Sequence, residues 1–265
     1  MGKLDGKHLT GLIGGVVIRR GKNGPILSSR PATKRRTKAE KQSATIFGKA
    51  SRLSKRIRDD LAAIYGDFKD GGMVNRLVTL NRQVLEHCFD SDTQTFDFEQ
   101  DSFSRITGFE FNNKSALINY LWVSPTVVLN DGQLTINLPE INISEQLVFV
   151  GNTNACRINI AIAMLLLSAG YQRDTIHIEL EIDASQLTFP AQEWSFAMPE
   201  GCLCVVGAGL QFYTIQGQYR NSYGNPPFAP AAICGAVYRP GTYDEPVDYR
   251  DWQAMGLSLP TESPA

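Results

Sequence analysis

Residues Thr175 to Asp183 read Thr-Ile-His-Ile-Glu-Leu-Glu-Ile-Asp, so one imidazole and three carboxylates, His177, Glu179, Glu181 and Asp183, fall at every second position. On an extended strand such a row shares one face, where it could ligate a metal ion or supply the acid and base of a hydrolase. The same alternation, with Ile176, Ile178, Leu180 and Ile182 on the opposite face, is also how the solvent side of a half-buried strand reads. No partner group converges on the row in the sequence, so no metal or catalytic role is assigned to it.

The other chemistry-bearing residues are more scattered. His8 and His87 have no second ligand at metal spacing. Asp90-Ser91-Asp92-Thr93-Gln94 opens like a calcium loop, but Thr95 replaces the glycine of the sharp turn and Asp101 stands where a bidentate Glu belongs, which leaves a solvated loop. "GLIGGVV" lacks the strand-to-helix context of a dinucleotide fold, and "FGKAS" lacks both the leading glycine and the Ser or Thr of a Walker loop. Glycines inside an apolar run point instead to a close backbone approach. The five cysteines, Cys88, Cys156, Cys202, Cys204 and Cys234, are odd in number and sit in apolar surroundings such as "CLCVV", as buried reduced thiols do. Three isolated histidines give no ground for a Ser-His-Asp or Cys-His arrangement. No catalytic residue, metal or cofactor is expected, and the chain is read as non-enzymatic.

The charge is distributed unevenly. The net charge of the 265-residue chain is -1, yet residues 1–60 hold 16 Lys and Arg against 4 Asp and Glu, a net of +12, and the remainder holds 10 against 23, a net of -13. The basic end therefore meets either an external polyanion or the acidic body of a copy. Lys3 and Lys7 ahead of Leu9 to Ile18 mimic a signal peptide, but glycines dilute the apolar stretch and Arg19-Arg20 occupy the place of a cleavage site. The longest apolar run, Ile158 to Leu167, falls short of the ~20 residues that span a bilayer. No membrane span is expected. The location implied is the cytoplasm, an assembly or a virion, with non-classical export left open.

The elements that would position these residues follow from periodicity. Val16 to Arg20 and Pro25 to Ser29 flank "GKNG" as a hairpin, which must dock on something to be stable. Thr37 and Glu40 have capping-box spacing ahead of a helix whose stripe is Ile46, Ala50, Leu53, Ile57, Leu61 and Ile64. A second helix carries Met73, Leu77, Leu80 and Val84. From about residue 90 the period becomes two, with strands expected at "TFDFEQ", "RITGFEF", "QLTINLP", "EQLVFVG", "RINIAIAMLLL", "TIHIELEID", "CLCVVGAGLQFYTIQ" and "AAICGAVY". The fold class is α+β. An N-terminal β-hairpin arm with a basic connector (1–36) and a two-helix unit (37–89) precede an antiparallel Ig-like β-sandwich (90–243) and an acidic C-terminal tail (244–265).

The segments "GLIGGVVIRRGKNGPILSSRP", "AEKQSATIFGKAS", "GFEFNNKS" and "CVVGAGLQFYTIQGQY" are similar to Bacteroidota proteins of unknown function that join a glycine-rich N-terminus and helices to a β-rich part. That family has no assigned chemistry, so the resemblance implies no catalytic residues. The chain departs from it in its basic connector and its cysteines.

Together these features describe a structural subunit that self-assembles into a homo-oligomer, head to tail through its arm, as a filament or other large assembly. The arm anchors are Leu9, Leu12, Ile13, Val16, Val17 and Ile18. The basic contacts are Arg19, Arg20, Lys34, Arg35, Arg36, Arg52, Lys55 and Arg56. Two alternatives stay open: a nucleic-acid-associated or virion protein using the basic segment 30–58, and a carbohydrate-binding or hydrolytic sandwich using Glu179 and Glu181.

Overall fold

The computed structural model describes residues 2–5, 8–21, 23–30, 37–66, 70–223, 228–243 and 248–261. The chain forms two compact units, Met1–Ser43 and Ala44–Ala265. The first holds an antiparallel sheet in chain order: β1 (Lys3–Asp5), β2 (His8–Ile13), β3 (Val16–Gly21) and β4 (Gly24–Ser29). The expected hairpin is thus one half of a four-stranded meander. Its apolar run breaks at Gly14-Gly15, where Gly14 takes a φ of 59° and no neighbouring atom lies near either Cβ position. These glycines make a turn rather than a close backbone approach.

Helix α1 (Lys38–Asp60) starts at the expected capping box: the Thr37 amide donates to Glu40 Oε2 at 2.8 Å, and the Glu40 amide donates to Thr37 Oγ1 at 3.2 Å. It is followed by the single turn α2 (Ala62–Tyr65) and by α3 (Met73–His87). The whole predicted stripe from Ile46 to Ile64 is buried. Inside the contact between α1 and α3, Asn81 Nδ2 donates to Ser54 Oγ at 2.9 Å.

Near the end of α1, Asp60 Oδ2 is buried without a hydrogen-bond partner. Burial pushes its carboxyl up to about 6 from an ordinary 3.8, with Arg56 opposing and Asp59 adding to the rise. The folded chain holds this proton more tightly than the unfolded chain, so stability falls as pH rises from about 4 to about 6 and stays lower above that. Asp60→Asn is expected to raise stability at pH 7 by about 1–2 kcal/mol, a value reduced for solvent screening at a carboxyl that water partly reaches. At pH 4 the substitution should change little. Urea melts at the two pH values check both statements.

The second unit continues with β5 (Thr126–Asn130), β6 (Gln133–Leu138), β7 (Ile141–Asn142), the short helix α4 (Ile143–Gln146), β8 (Ala155–Leu166), β9 (Tyr171–Arg173) and β10 (Ile176–Asp183). After these come β11 (Thr188–Phe189), β12 (Gln192–Ala197), β13 (Cys202–Gln216), β14 (Tyr219–Ser222), β15 (Ala231–Arg239) and β16 (Trp252–Ala254). The architecture is α+β with antiparallel sheets. Strands β8 and β13 pair from Ala155↔Tyr213 to Leu166↔Cys202 at the centre of a seven-stranded sheet. They are near-continuous apolar runs because both faces are covered. Ala161, Ala163, Leu165, Leu203 and Val205 pack in one core with α1, α2 and α3. Ile158, Ile160, Ile162, Cys202, Cys204 and Val206 pack in a second core with Leu134, Ile136 and Leu138 of β6. The sheet β12-β6-β5 and the pair β11-β7 are separate from the seven-stranded sheet.

The helix-side face of the central strands is built from small residues. Gly207 and Gly209 of β13 alternate with Leu203 and Val205, and α2 lies directly against them: a Cβ on Gly209 would sit 2.2 Å from the Ile64 carbonyl oxygen. The close backbone approach anticipated for the opening glycines occurs here instead.

Several expectations are corrected. Residues 95–100, 105–111 and 145–151 are not strands. Phe96 makes isolated bridges to Phe89 and Thr261, residues 104–106 form a short 3-10 turn, and α4 occupies the start of the third segment. Their alternation is real but serves packing, since Phe96, Phe98, Phe103, Phe109 and Phe111 all enter the helix-side core. The compact units divide at 43/44, within α1, and α1, α3 and the central sheet share one core across 89/90. The described part of the acidic tail is not loose. Met255, Leu257 and Leu259 are buried, and the amides of Met255 and Leu259 donate to the carbonyls of Gly170 and Leu167. Among the described residues no helix is long and apolar enough to cross a membrane.

Candidate assembly surfaces

The four-stranded sheet carries the expected arm anchors on both of its faces. Strand register pairs Ile13 with Val16, Leu12 with Val17, Ile18 with Leu27 and Arg19 with Ile26. Paired residues share a face and alternate residues change face. Ile13, Val16, Ile18 and Leu27 therefore lie on one side, with Leu12, Val17, Arg19 and Ile26 on the other. None of the described residues in this sheet is buried: Leu9, Ile13 and Val16 are exposed, Leu12, Val17 and Ile18 are half-buried, and Leu27 is 64% exposed. Leu4 and Leu27 add to the first of these faces and Ile26 to the second; all three are exposed, and they were missed in the sequence because polar or turn residues lie beside them. Contiguous apolar surface of this kind marks a contact site.

The basic residues divide between places. Arg19 and Arg20 are exposed on β3, beside the anchors. Arg52 and Lys55 are exposed on α1, Lys55 pairing with Asp59 at 2.8 Å, and Arg56 is half-buried near Asp60. Lys34, Arg35 and Arg36 lie outside the described residues. Counted by compact unit, Met1–Ser43 has 11 Lys and Arg against 2 acids, and Ala44–Ala265 has 15 against 25. The net charges are +9 and -10.

In the second unit the row His177, Glu179, Glu181, Asp183 is the outer face of β10, and its two glutamates are paired with arginines. Arg157, opposite Glu181 on β8, reaches Glu179 at 2.9 Å and Glu181 at 2.7 Å. Arg220 reaches the other oxygen of Glu181 at 2.7 Å while lying 3.8 Å over the Tyr213 ring. Asp183 accepts from the amide and hydroxyl of Ser185, which hold its carboxyl below the usual range. The row is thus a charge ladder across strands, and Arg157 and Arg220, with no local signal linking them to it, are the residues that make it one.

β10 is also an edge. It pairs with β8 along its whole length, and among the described residues its other side has no strand partner. The opposite side of the sheet is managed differently: the outer backbone of β15 exchanges hydrogen bonds with Gly108, Phe109, Phe111 and Gln100.

Two cavities carry charged side chains. A cavity of about 760 Å³ below α3 is lined by His87, Cys88, Asp97, Glu99, Asp101 and Arg105 among others. Burial, reinforced by Asp97, Glu99 and Asp101 against a hydrogen bond with Ser102, pushes the Cys88 thiol up, the opposite of an activated nucleophile. A cavity of about 320 Å³ is lined by Arg173, Arg239, Tyr243 and Trp252, but Arg173 pairs with Asp251 at 3.2 Å and Arg239 with Glu200 at 3.3 Å. The Asp90 loop is a tight turn in which Asp90 Oδ1 accepts from the Asp92 amide at 2.7 Å. Among the described residues no group of three or more His, Cys, Asp or Glu is placed to hold a metal ion. Cys202 and Cys204 share one face of β13 with no exposed surface, and burial pushes Cys202 up to about 12.

Comparison with known protein families gives no match to the chain, and comparison with curated proteins gives none.

Proposed function

We propose that this protein is a non-enzymatic structural subunit that associates head to tail through its N-terminal sheet into a filament or other large homo-oligomer. The observation that carries the reading is a four-stranded sheet with none of its described residues buried, apolar on both faces and bearing Arg19 and Arg20, in a unit of net charge +9 joined to one of -10. Such a sheet gains stability by covering its apolar faces. Opposite charges on the two units favour unlike surfaces meeting, a heterologous contact that need not close. The same proposal includes the Bacteroidota resemblance, and it takes the packed sheets of the second unit as an Ig-like sandwich to which the helical layer is added.

The test is light scattering on nuclease-treated full-length protein at low salt over a concentration series. Species several times the monomer mass are expected, with dissociation at high salt. In the full-length double variant Val16→Lys, Leu27→Lys, two exposed residues on one sheet face, the mass should stay that of the monomer. A wild-type chain that remains monomeric at every concentration refutes the proposal. Large species that appear only when nucleic acid is added back would favour the polyanion reading instead.

A further inference from the structure

We infer that the outer edge of β10 receives β4 from the N-terminal sheet of a second copy, joining the two sheets by strand addition. This rests on the self-association proposed above and names the surface that accepts the sheet.

The edge has the properties strand addition requires. It is eight residues long, Ile176–Asp183, with no proline, glycine or bulge. Alternate backbone groups of an edge strand point away from the existing partner, so with Asp183 bonded to Gln186 about three amide and carbonyl pairs stay open along it. Native edges are ordinarily shielded by a covering loop, a bulge or proline. β15 has such a cover in residues 100–111, whereas among the described residues β10 is covered only at its end, where the Asp183 amide donates to Gln186 Oε1 and the Asp183 carbonyl accepts from the Gln186 amide.

The occupant is argued from charge and length. Pairing β10 with a second β10 sets His177, Glu179, Glu181 and Asp183 against the same row, and like charges in cross-strand positions are destabilising. β4 is the longer free edge of the N-terminal sheet, with six residues, all exposed, against three in β1. Its neighbour β3 brings Arg19 and Arg20, paired with Ile26 and Pro25 of β4, to within one strand spacing of the new contact. The two arginines project to opposite faces of β3, so one of them shares the face that bears Glu179 and Glu181, each of which is about half exposed despite its arginine partner. Backbone hydrogen bonds would supply the affinity, and Ile26 and Leu27 would continue the apolar faces of the merged sheet.

Hydrogen exchange read by mass spectrometry on the full-length wild-type chain tests the inference, at a concentration where it is monomeric and at one where it is assembled. Assembly should slow exchange about tenfold or more at roughly three amides within 176–183 and also within 24–29. In the Val16→Lys, Leu27→Lys variant both segments should keep their monomer rates. Heavy species with unchanged exchange across 176–183 overturn this inference and leave self-association standing. Assembly that stops at a dimer with 176–183 protected and 24–29 unchanged means β10 pairs with itself, which also overturns it. Absence of any heavier species overturns both.

Discussion

Replacing Gly209 by alanine is expected to cost the second unit about 3–4 kcal/mol and to lower its melting midpoint by roughly 10 °C. The added methyl would lie 2.2 Å from the carbonyl oxygen of Ile64 and 3.0 Å from its carbonyl carbon. Both are backbone atoms of α2, so relief requires moving a helical turn away from the sheet rather than rotating a side chain. That turn bears Ile64 and Tyr65, and Tyr65 stacks on Phe111 with ring centroids 4.5 Å apart, so the displacement spreads into the aromatic part of the core. Gly207→Ala should cost less, because the nearest atom is the flexible Ile64 Cδ1 at 2.6 Å. Gly48→Ala provides the control. It lies within α1 with nothing inside 4 Å of the new Cβ, and it should stabilise by about 0.5–1 kcal/mol through helix propensity. Thermal melts of the three variants give the ranking; equal midpoints for Gly209→Ala and wild type would mean that α2 does not press on the sheet.

The second large effect is expected from Leu257→Ala combined with Leu259→Ala. These residues are 4% and 0% exposed in the helix-side core. Each truncation of a buried leucine costs about 2–4 kcal/mol, and the pair about 5–6 kcal/mol when their shared surroundings limit additivity. A loss of that size consumes most of the 5–15 kcal/mol typical of a folded domain, so the double variant should populate unfolded chain at room temperature. Ser258→Ala between them is the control: its hydroxyl is exposed and donates to the Ser168 carbonyl at 2.7 Å, and its loss should cost less than about 1 kcal/mol. Circular dichroism at a single temperature separates the two outcomes. A fully folded double variant would show that this segment only lies on the unit.

The contrast between those leucines and the central strands explains how much of the fold is legible in the sequence. β8, β13 and β10 are readable because the twofold period or a continuous apolar run persists for eight residues or more, longer than chance alternation sustains. The stripe of α1 is readable for the same reason at the helical period, and its start is marked by two side chains that close a local ring. Met255, Leu257 and Leu259 alternate over only five residues among Gly and Pro, and nothing nearby tells that Leu167 and Gly170 will bond to them. The phenylalanines from 96 to 111 carry strand-like alternation, yet their backbone partners are β15 and residue 260, choices that depend on the folded sheet edge. The candidate surfaces divide likewise. Local pattern locates the N-terminal strands and the acid row, while the openness of β10 is a property of topology, and the arginines that neutralise Glu179 and Glu181 come from strands 24 and 39 positions away from Glu181.

The thiols of Cys156, Cys202 and Cys204 sit wholly inside the two longest strands of the molecule. Their side chains belong to the core shared with β6, so a reagent reaches them when that core opens, and the protonated form that burial favours makes them inert while it stays closed. Their modification rate is therefore a clock that ticks when that core opens. The unaltered chain carries its own gauge of opening frequency, untagged, whether it is alone in solution or held between neighbours.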